Sequence, residues 1–341
     1  MRYPDGAVFL TISALLLLSL MSQQPAAPAT RGTVKRSTPH YDSYLTGQAG
    51  DVARATRGGL LLAGGGTDQP DAFRWLIDRA GGGDIVIIRA SGADGYNNFI
   101  MRLGPVDSVQ SIVFRSREAS SDPEIVRTLE RAEAVFLAGG DQSNYVRYWK
   151  NTPVQDALHA LAKRGVPIGG TSAGLAVLGE FGFAATSGGV TSAAALANPY
   201  SDRVTIERAF LRLPHLSGII TDSHFVERDR LGRTLAFLAR IVEDGWAPRA
   251  RAIAIDRETA VLVEADGSTS IVGKGPAYFL QTTRRAAVCK PDTPLTIGGI
   301  ETYRATAGAT FNLTSWTGTG GTPYVLSVND GTVTSSTGTI Y

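Results

Sequence analysis

The chain has 341 residues, 43% of them hydrophobic, and a formal net charge of +2. That length and apolar content support a full core in one large or two modest domains and exclude a disordered chain. The balanced charge excludes a nucleic-acid-binding surface, and a lone cysteine, Cys289, with four dispersed histidines (His40, His159, His215, His224) excludes a disulfide and any recognisable metal motif.

Arg2, the apolar run 7–20 and the small-residue stretch 25–29 have the layout of a secretory signal peptide. An uncleaved anchor is the alternative, although the run is short for a membrane span. A periplasmic or extracellular protein is expected, with 1–29 as the signal peptide and 30–57 as a polar leader. The domain proper is expected over 58–290, followed by a small β-rich appendage over 291–341.

Residues 58–63 form an apolar strand closed by Gly64-Gly65-Gly66-Thr67, and a helix follows with Phe73, Leu76, Ile77 and Ala80 on one face. Three consecutive glycines let backbone N–H groups face an anion, which leaves a phosphate, an oxyanion or a plain tight turn as readings. Residues 84–88 are apolar on both faces, as in a parallel sheet covered on two sides. A strand at 111–114, a helix from Asp122-Pro123-Glu124 to about Ala132, and a buried strand at 134–138 come next. That strand ends in Gly139-Gly140-Asp141-Gln142, and helices around 144–150 and 153–164 lead to the next apolar run.

This run, Val166 onward, breaks at Gly170-Thr171-Ser172-Ala173-Gly174 and continues as small and apolar residues at helical spacing. Such a strand-to-helix elbow lifts the serine hydroxyl clear of the sheet, with the Ala173 N–H and a helix N-terminus beside it. A glycine turn that lets a helix pack close to its strand is the plainer reading. Residues 180–200 read as a long loop or small hairpin. A strand over 217–225 carries Asp222 and His224 on one face, and a helix over 229–243 opens with Arg228, Arg230 and Arg233. Arginines there oppose the helix dipole; with Glu227 and Asp229 in part compensating, they read either as a solvated run or as an anion site. Beyond 251 the pattern turns to β, with strands near 253–255, 260–263 and 278–280.

Strands alternating with helices give an α/β class, a doubly wound and mostly parallel sheet whose carboxyl edge collects the glycine turns, Ser172 and His224. Gly139-Gly140-Asp141-Gln142, Gly170-Thr171-Ser172-Ala173-Gly174 and Asp222-x-His224-Phe225-x-x-Arg228-x-Arg230-x-x-Arg233, in this order, resemble the cyanophycinases, serine peptidases related to the aspartyl dipeptidase called peptidase E. The resemblance implies a class I glutamine-amidotransferase-like (flavodoxin-like) fold and a serine peptidase acting through an acyl-enzyme on cyanophycin, a polyaspartate with arginine on each β-carboxyl. It implies Ser172 as nucleophile and His224 as base, with Ala173, Gly65 and Gly66 as oxyanion donors. Gln142, Asp222, Arg228, Arg230 and Arg233 are implied as substrate-binding, and no metal or other cofactor is called for.

The family's third catalytic member is an acid between serine and histidine. Residues 181–200 contain no Asp or Glu, so Glu180, Asp202 and Glu207 are the candidates. The implied partner is a peptide or polypeptide substrate rich in aspartyl-arginine, with a homodimer as a further candidate and no stable membrane association after leader cleavage. An aspartyl dipeptidase, a non-catalytic binding protein on the same fold and an esterase are the competing readings.

Overall fold

The computed structural model describes residues 32–341, so the expected signal peptide lies outside the described residues. In chain order the elements begin β1 (Val34–Ser37), β2 (Tyr41–Gly47), β3 (Gly59–Ala63), α1 (Pro70–Arg79), β4 (Asp84–Arg89), α2 (Gly95–Met101), β5 (Ser108–Phe114) and α3 (Pro123–Arg131). They continue with β6 (Ala134–Leu137), α4 (Gln142–Trp149), α5 (Pro153–Lys163), β7 (Ile168–Thr171), β8 (Phe181–Phe183), α6 (Ser192–Ala197), β9 (Ile206–Arg208), β10 (Ile219–Asp222) and α7 (Leu231–Glu243). The rest is β: β11 (Arg251–Ile255), β12 (Thr259–Glu264), β13 (Ser268–Gly273), β14 (Ala277–Thr282), β15 (Ile297–Ala305), β16 (Thr310–Asn312), β17 (Thr317–Thr319), β18 (Thr322–Asn329) and β19 (Thr332–Ser335).

The α/β class is as expected, but the strands form two sheets. The first has 11 strands in the order β1-β2-β5-β4-β6-β7-β3-β12-β13-β16-β17, parallel only from β5 to β3. Period-2 alternation sends successive side chains of this parallel part to opposite faces. Leu60, Leu62, Val86, Ile88 and Leu137 pack with Leu129, Trp149 and Leu158 of α3, α4 and α5. Leu61, Ile85, Ile87 and Phe136 pack with Phe73, Leu76 and Ile77 of α1 and Ile100 of α2. The second sheet has 8 strands, β19-β18-β15-β14-β11-β10-β8-β9, and covers α7 through Ile220, Leu235, Leu238 and Ala252.

Three expectations are corrected. The sheets are not mostly parallel, because hairpins extend the parallel strands on either side. Residues 291–341 do not stand apart: β15, β18 and β19 continue the second sheet and β16 and β17 the first, with Phe279 stacked on Phe311 at 3.9 Å between ring centroids. The stretch 30–57 is not merely a polar leader, since β2 pairs antiparallel along the whole of β5 and buries Tyr41 to 2% exposure. Its polar composition conceals this because β2 lies one strand in from the sheet edge, paired with the exposed edge strand β1, and its Asp42 is neutralised by Arg115.

Tyr41→Ala is expected to cost about 3–5 kcal/mol, the range for deleting a buried aromatic side chain. Denaturant unfolding checks this, and a change under about 0.5 kcal/mol, ordinary for a surface substitution, would return the strand to the status of a leader.

Candidate active site

The register of the parallel strands sets the site. β7 lies between β6 and β3, with Leu137 opposite Gly170 and Ala63 opposite Thr171. Each strand therefore ends at the same level, and Ser172 emerges flanked by Gly64-Gly65-Gly66 on one side and Gly139-Gly140 on the other. The two glycines of the elbow are required by this crowding. A Cβ on Gly174 would sit 2.0 Å from the Leu137 carbonyl oxygen, and one on Gly170 would sit 2.8 Å from the Gly174 backbone. The chain turns so tightly that Ser172 takes φ +53, a conformation that non-glycine residues enter at a cost and that clusters at functional sites. The expected helix after the elbow is only a 3₁₀ turn, Leu175–Val177, because every side chain there is buried and the chain must enter β8 of the second sheet.

His224 arrives from that second sheet, just beyond β10, with φ +46. Its N–H donates to the Gly64 carbonyl at 2.8 Å, and its ring lies against Gly65, where a Cβ would meet Nε2 at 2.3 Å. The Ser172 Oγ is 2.9 Å from His224 Nε2, and His224 Nδ1 is 2.6 Å from Glu227 Oε2. A carboxylate can only accept, so Nδ1 carries the proton and Nε2 presents its lone pair to the serine hydroxyl. The turn that delivers Glu227 is held by Asp256, whose Oδ1 accepts from the N–H groups of Val226 and Glu227, both at 3.0 Å.

The acid candidates Glu180, Asp202 and Glu207 do not reach His224. Glu180 accepts from Ser217 Oγ and the Gly218 N–H, Glu207 pairs with Lys150, and Asp202 accepts from Ser201. Glu227 follows the histidine instead of preceding it. The signal was present as His-x-x-Glu at the end of a buried strand, but Glu227 reads in the sequence as compensation for the arginines beside it.

Asp222 and His224 do not share a face, because the strand ends at Asp222 and the positive φ at His224 redirects the ring. Asp222 is 1% exposed and bound by Arg233 in bidentate fashion, Nε to Oδ2 at 2.9 Å and Nη2 to Oδ1 at 2.5 Å, with Thr234 Oγ1 and the Ser223 N–H donating as well. Burial alone would raise its carboxyl, but the Arg233 guanidinium holds it below the usual value. This buried pair accounts for Arg233 in the first turn of α7: it neutralises a buried carboxylate and is itself 4% exposed, while the first N–H groups of the helix donate to Tyr341 OH and Ser192 Oγ. Neither group is open to a ligand. Arg230 donates to the Ser223 carbonyl at 2.8 Å and is pulled down to about 10 by burial. Arg228 is exposed, and Gln142 is half-buried at the first position of α4.

The N–H groups of Ala173, Gly65 and Gly66 donate to no protein acceptor among the described residues. Ala173 adjoins Ser172, and Gly65 lies against the His224 ring that contacts the serine hydroxyl; unpaired N–H groups beside a nucleophile are the kind that can stabilise an oxyanion. His224 is pulled below the ordinary imidazole value by burial, raised again by the Glu227 hydrogen bond, and lowered by Arg228 and Arg230. The hydrogen bond from His224 lowers Glu227, which stays ionised. Among the described residues no group of His, Cys, Asp and Glu is arranged to hold a metal ion.

With a depressed folded-state value, neutral His224 persists to lower pH than a free imidazole, so the acid limb of kcat/KM is expected below about 6.5. Glu227→Gln removes the influence that raises the ring and shifts that limb further down, while kcat falls by a factor on the order of 10²–10⁴. A pH–rate profile of both proteins checks this; an unshifted limb with near-normal kcat would remove Glu227 from the site.

Residues 99–198 match the model of Peptidase family S51, a span that contains the Gly139–Gln142 and Ser172 motifs. A cyanophycinase of Nostoc sp. is 27% identical over 276 residues, covering 76% of this chain and 87% of that protein. A cyanophycinase of Synechococcus elongatus is 29% identical over 272 residues, covering 75% and 79%. The crystal structure of a peptidase from an acI-B1 Actinobacterium shares the fold, with a TM-score of 0.51 at 18% identity over 76% of this chain and 98% of that one. The resemblance carried by the three motifs is thereby borne out, and the chain is a serine-type peptidase related to family S51 and to the cyanophycinases.

Proposed function

We propose that the chain hydrolyses cyanophycin or closely related β-aspartyl-arginine peptides through a Ser–His acyl-enzyme mechanism. The observation that carries the mechanism is the unbroken line Ser172 Oγ, His224 Nε2, His224 Nδ1, Glu227 Oε2, with 2.9 and 2.6 Å contacts. In this reading Ser172 Oγ attacks the scissile carbonyl carbon as its proton passes to His224 Nε2. The imidazolium is stabilised by Glu227, and the oxyanion is received by the Ala173, Gly65 and Gly66 N–H groups. His224 then gives its proton to the leaving amine, which departs and leaves an ester on Ser172. Water, deprotonated by the same Nε2, attacks the ester; the acid product leaves and Ser172 recovers its proton.

The substrate assignment is supported by the two cyanophycinases matched over most of their length. It is also supported by the cations near His224, where Arg228 is open to substrate carboxylates and Arg230, mostly buried against Ser223 and Asp222, adds its charge from behind. Gln142 remains in the proposed binding set, whereas Asp222 and Arg233 act as buried support for the His224 turn. Residues 1–29 favour action outside the cytoplasm, which N-terminal sequencing of exported protein would test. The peptidase E-type reading, cleavage of small aspartyl dipeptides, uses the same chemistry. A non-catalytic binding protein would be favoured by a histidine with no acid partner, whereas His224 Nδ1 is paired with Glu227.

Purified protein is expected to release β-aspartyl-arginine from cyanophycin, with Ser172→Ala lowering the rate by a factor on the order of 10⁴ or more. Turnover of α-aspartyl dipeptides with none of the polymer would favour the dipeptidase reading instead.

A further inference from the structure

Arg257 stands out among residues to which neither the motifs nor the mechanism gives a role. It follows Asp256, the residue that holds the Glu227 turn, and its side chain is 51% exposed. Its aliphatic stem lies across Gly66: a Cβ there would meet Arg257 Cγ at 2.5 Å and Nε at 2.9 Å. The guanidinium thus rests on the loop that carries two of the proposed oxyanion donors. Nη1 is 3.5 Å from Glu227 Oε1 and Nη2 is 3.5 Å from Glu258 Oε1, both at the outer limit of a hydrogen bond. On the other side of the same carboxylate, Arg228 Nε is 3.9 Å from Glu227 Oε2. Two guanidinium groups share one glutamate whose second duty is to His224, and Glu258 is already engaged by Lys274 at 2.7 Å. With only these two long contacts and a half-exposed side chain, Arg257 keeps N–H donors open to solvent beside the Gly66 turn, in the planar fork that suits a carboxylate.

We infer that Arg257 is a specificity-determining residue that binds a free carboxylate of the peptide substrate at the rim of the cleft, on the Gly66 side of the scissile bond. This rests on the proposed function for the identity of the substrate, and the ligand chemistry it names is a carboxylate presented beside the bond to be cut. In a β-aspartyl-arginine polymer that carboxylate is the α-carboxylate of the side-chain arginine. Because Arg257 also neighbours Glu227, a role exerted through the catalytic histidine is the competing account, and the two differ in what they predict.

The test compares wild type with Arg257→Gln and Arg257→Lys on a short synthetic β-aspartyl-arginine oligomer and on the same oligomer with its arginine carboxyls capped as primary amides. Binding of the carboxylate predicts that Arg257→Gln loses about tenfold in kcat/KM on the free acid, through KM, with little change on the amide and no shift in the pH profile of kcat. Arg257→Lys, which keeps the charge without the fork, is expected between the two. Equal losses on acid and amide, or a shifted kcat profile, would overturn the inference. A second arm needs no turnover: protection of Ser172 by β-aspartyl-arginine against an uncharged fluorophosphonate should be clear in wild type and about tenfold weaker in Arg257→Gln. Unchanged protection in the variant, or none in wild type, would also overturn it, whereas protection without hydrolysis of the oligomer would sink only the proposed activity.

Discussion

The hydrogen bond between Ser172 and His224 joins residues that belong to different sheets, and the geometry of both sheets is spent on holding it. β7 delivers the serine from the parallel part of the first sheet, and β10 delivers the histidine from the second. Neither residue could be placed by its own strand alone. Ser172 sits one residue and His224 two residues beyond a strand end, each with a positive φ, so the strain is local and the restoring contacts are long-range. The Gly64 carbonyl, which accepts from the His224 N–H, is the tie that sets the distance between the two ends. Glycines at 65, 170 and 174 let these backbones approach closely enough for the tie to form.

Two carboxylates near His224 illustrate how environment divides roles. Asp222 is wholly buried and saturated by Arg233, Thr234 and the Ser223 N–H, so it fixes the start of α7 and cannot meet a ligand. Glu227, a third exposed, reaches the imidazole and stays ionised with help from the histidine and two arginines. Loss of one partner of the buried pair would strand a charge in the interior, a cost of about 3–5 kcal/mol. The cluster of arginines therefore separates by depth: Arg233 is structural, Arg230 intermediate, and Arg228 at the surface.

The parallel core was legible because its strands are apolar on both faces and its helices carry one buried stripe, as in Phe73, Leu76 and Ile77. The serine elbow was legible because its spacing follows from the packing of Gly170 and Gly174. Glu227 was not, because a motif read along the chain favours an acid between serine and histidine, and nothing in composition shows that a turn bends the side chain three residues later back onto the ring. The placement of Asp222 was missed for the same reason: alternation along a strand holds only while the strand lasts. The tail over 291–341 is rich in Thr, Gly and Ser, and its attachment to both sheets depends on partners earlier in the chain, β13 for β16 and β14 for β15.

The account stands on Ser172 becoming covalently acylated with His224 as its base. The most direct measurement is intact-protein and peptide mass spectrometry of enzyme quenched during turnover of a slowly deacylated aspartyl ester. The acyl mass is predicted on the peptide containing Ser172 and absent from a His224→Ala protein. An adduct on another residue, or turnover without any adduct under conditions where deacylation limits the rate, would contradict it.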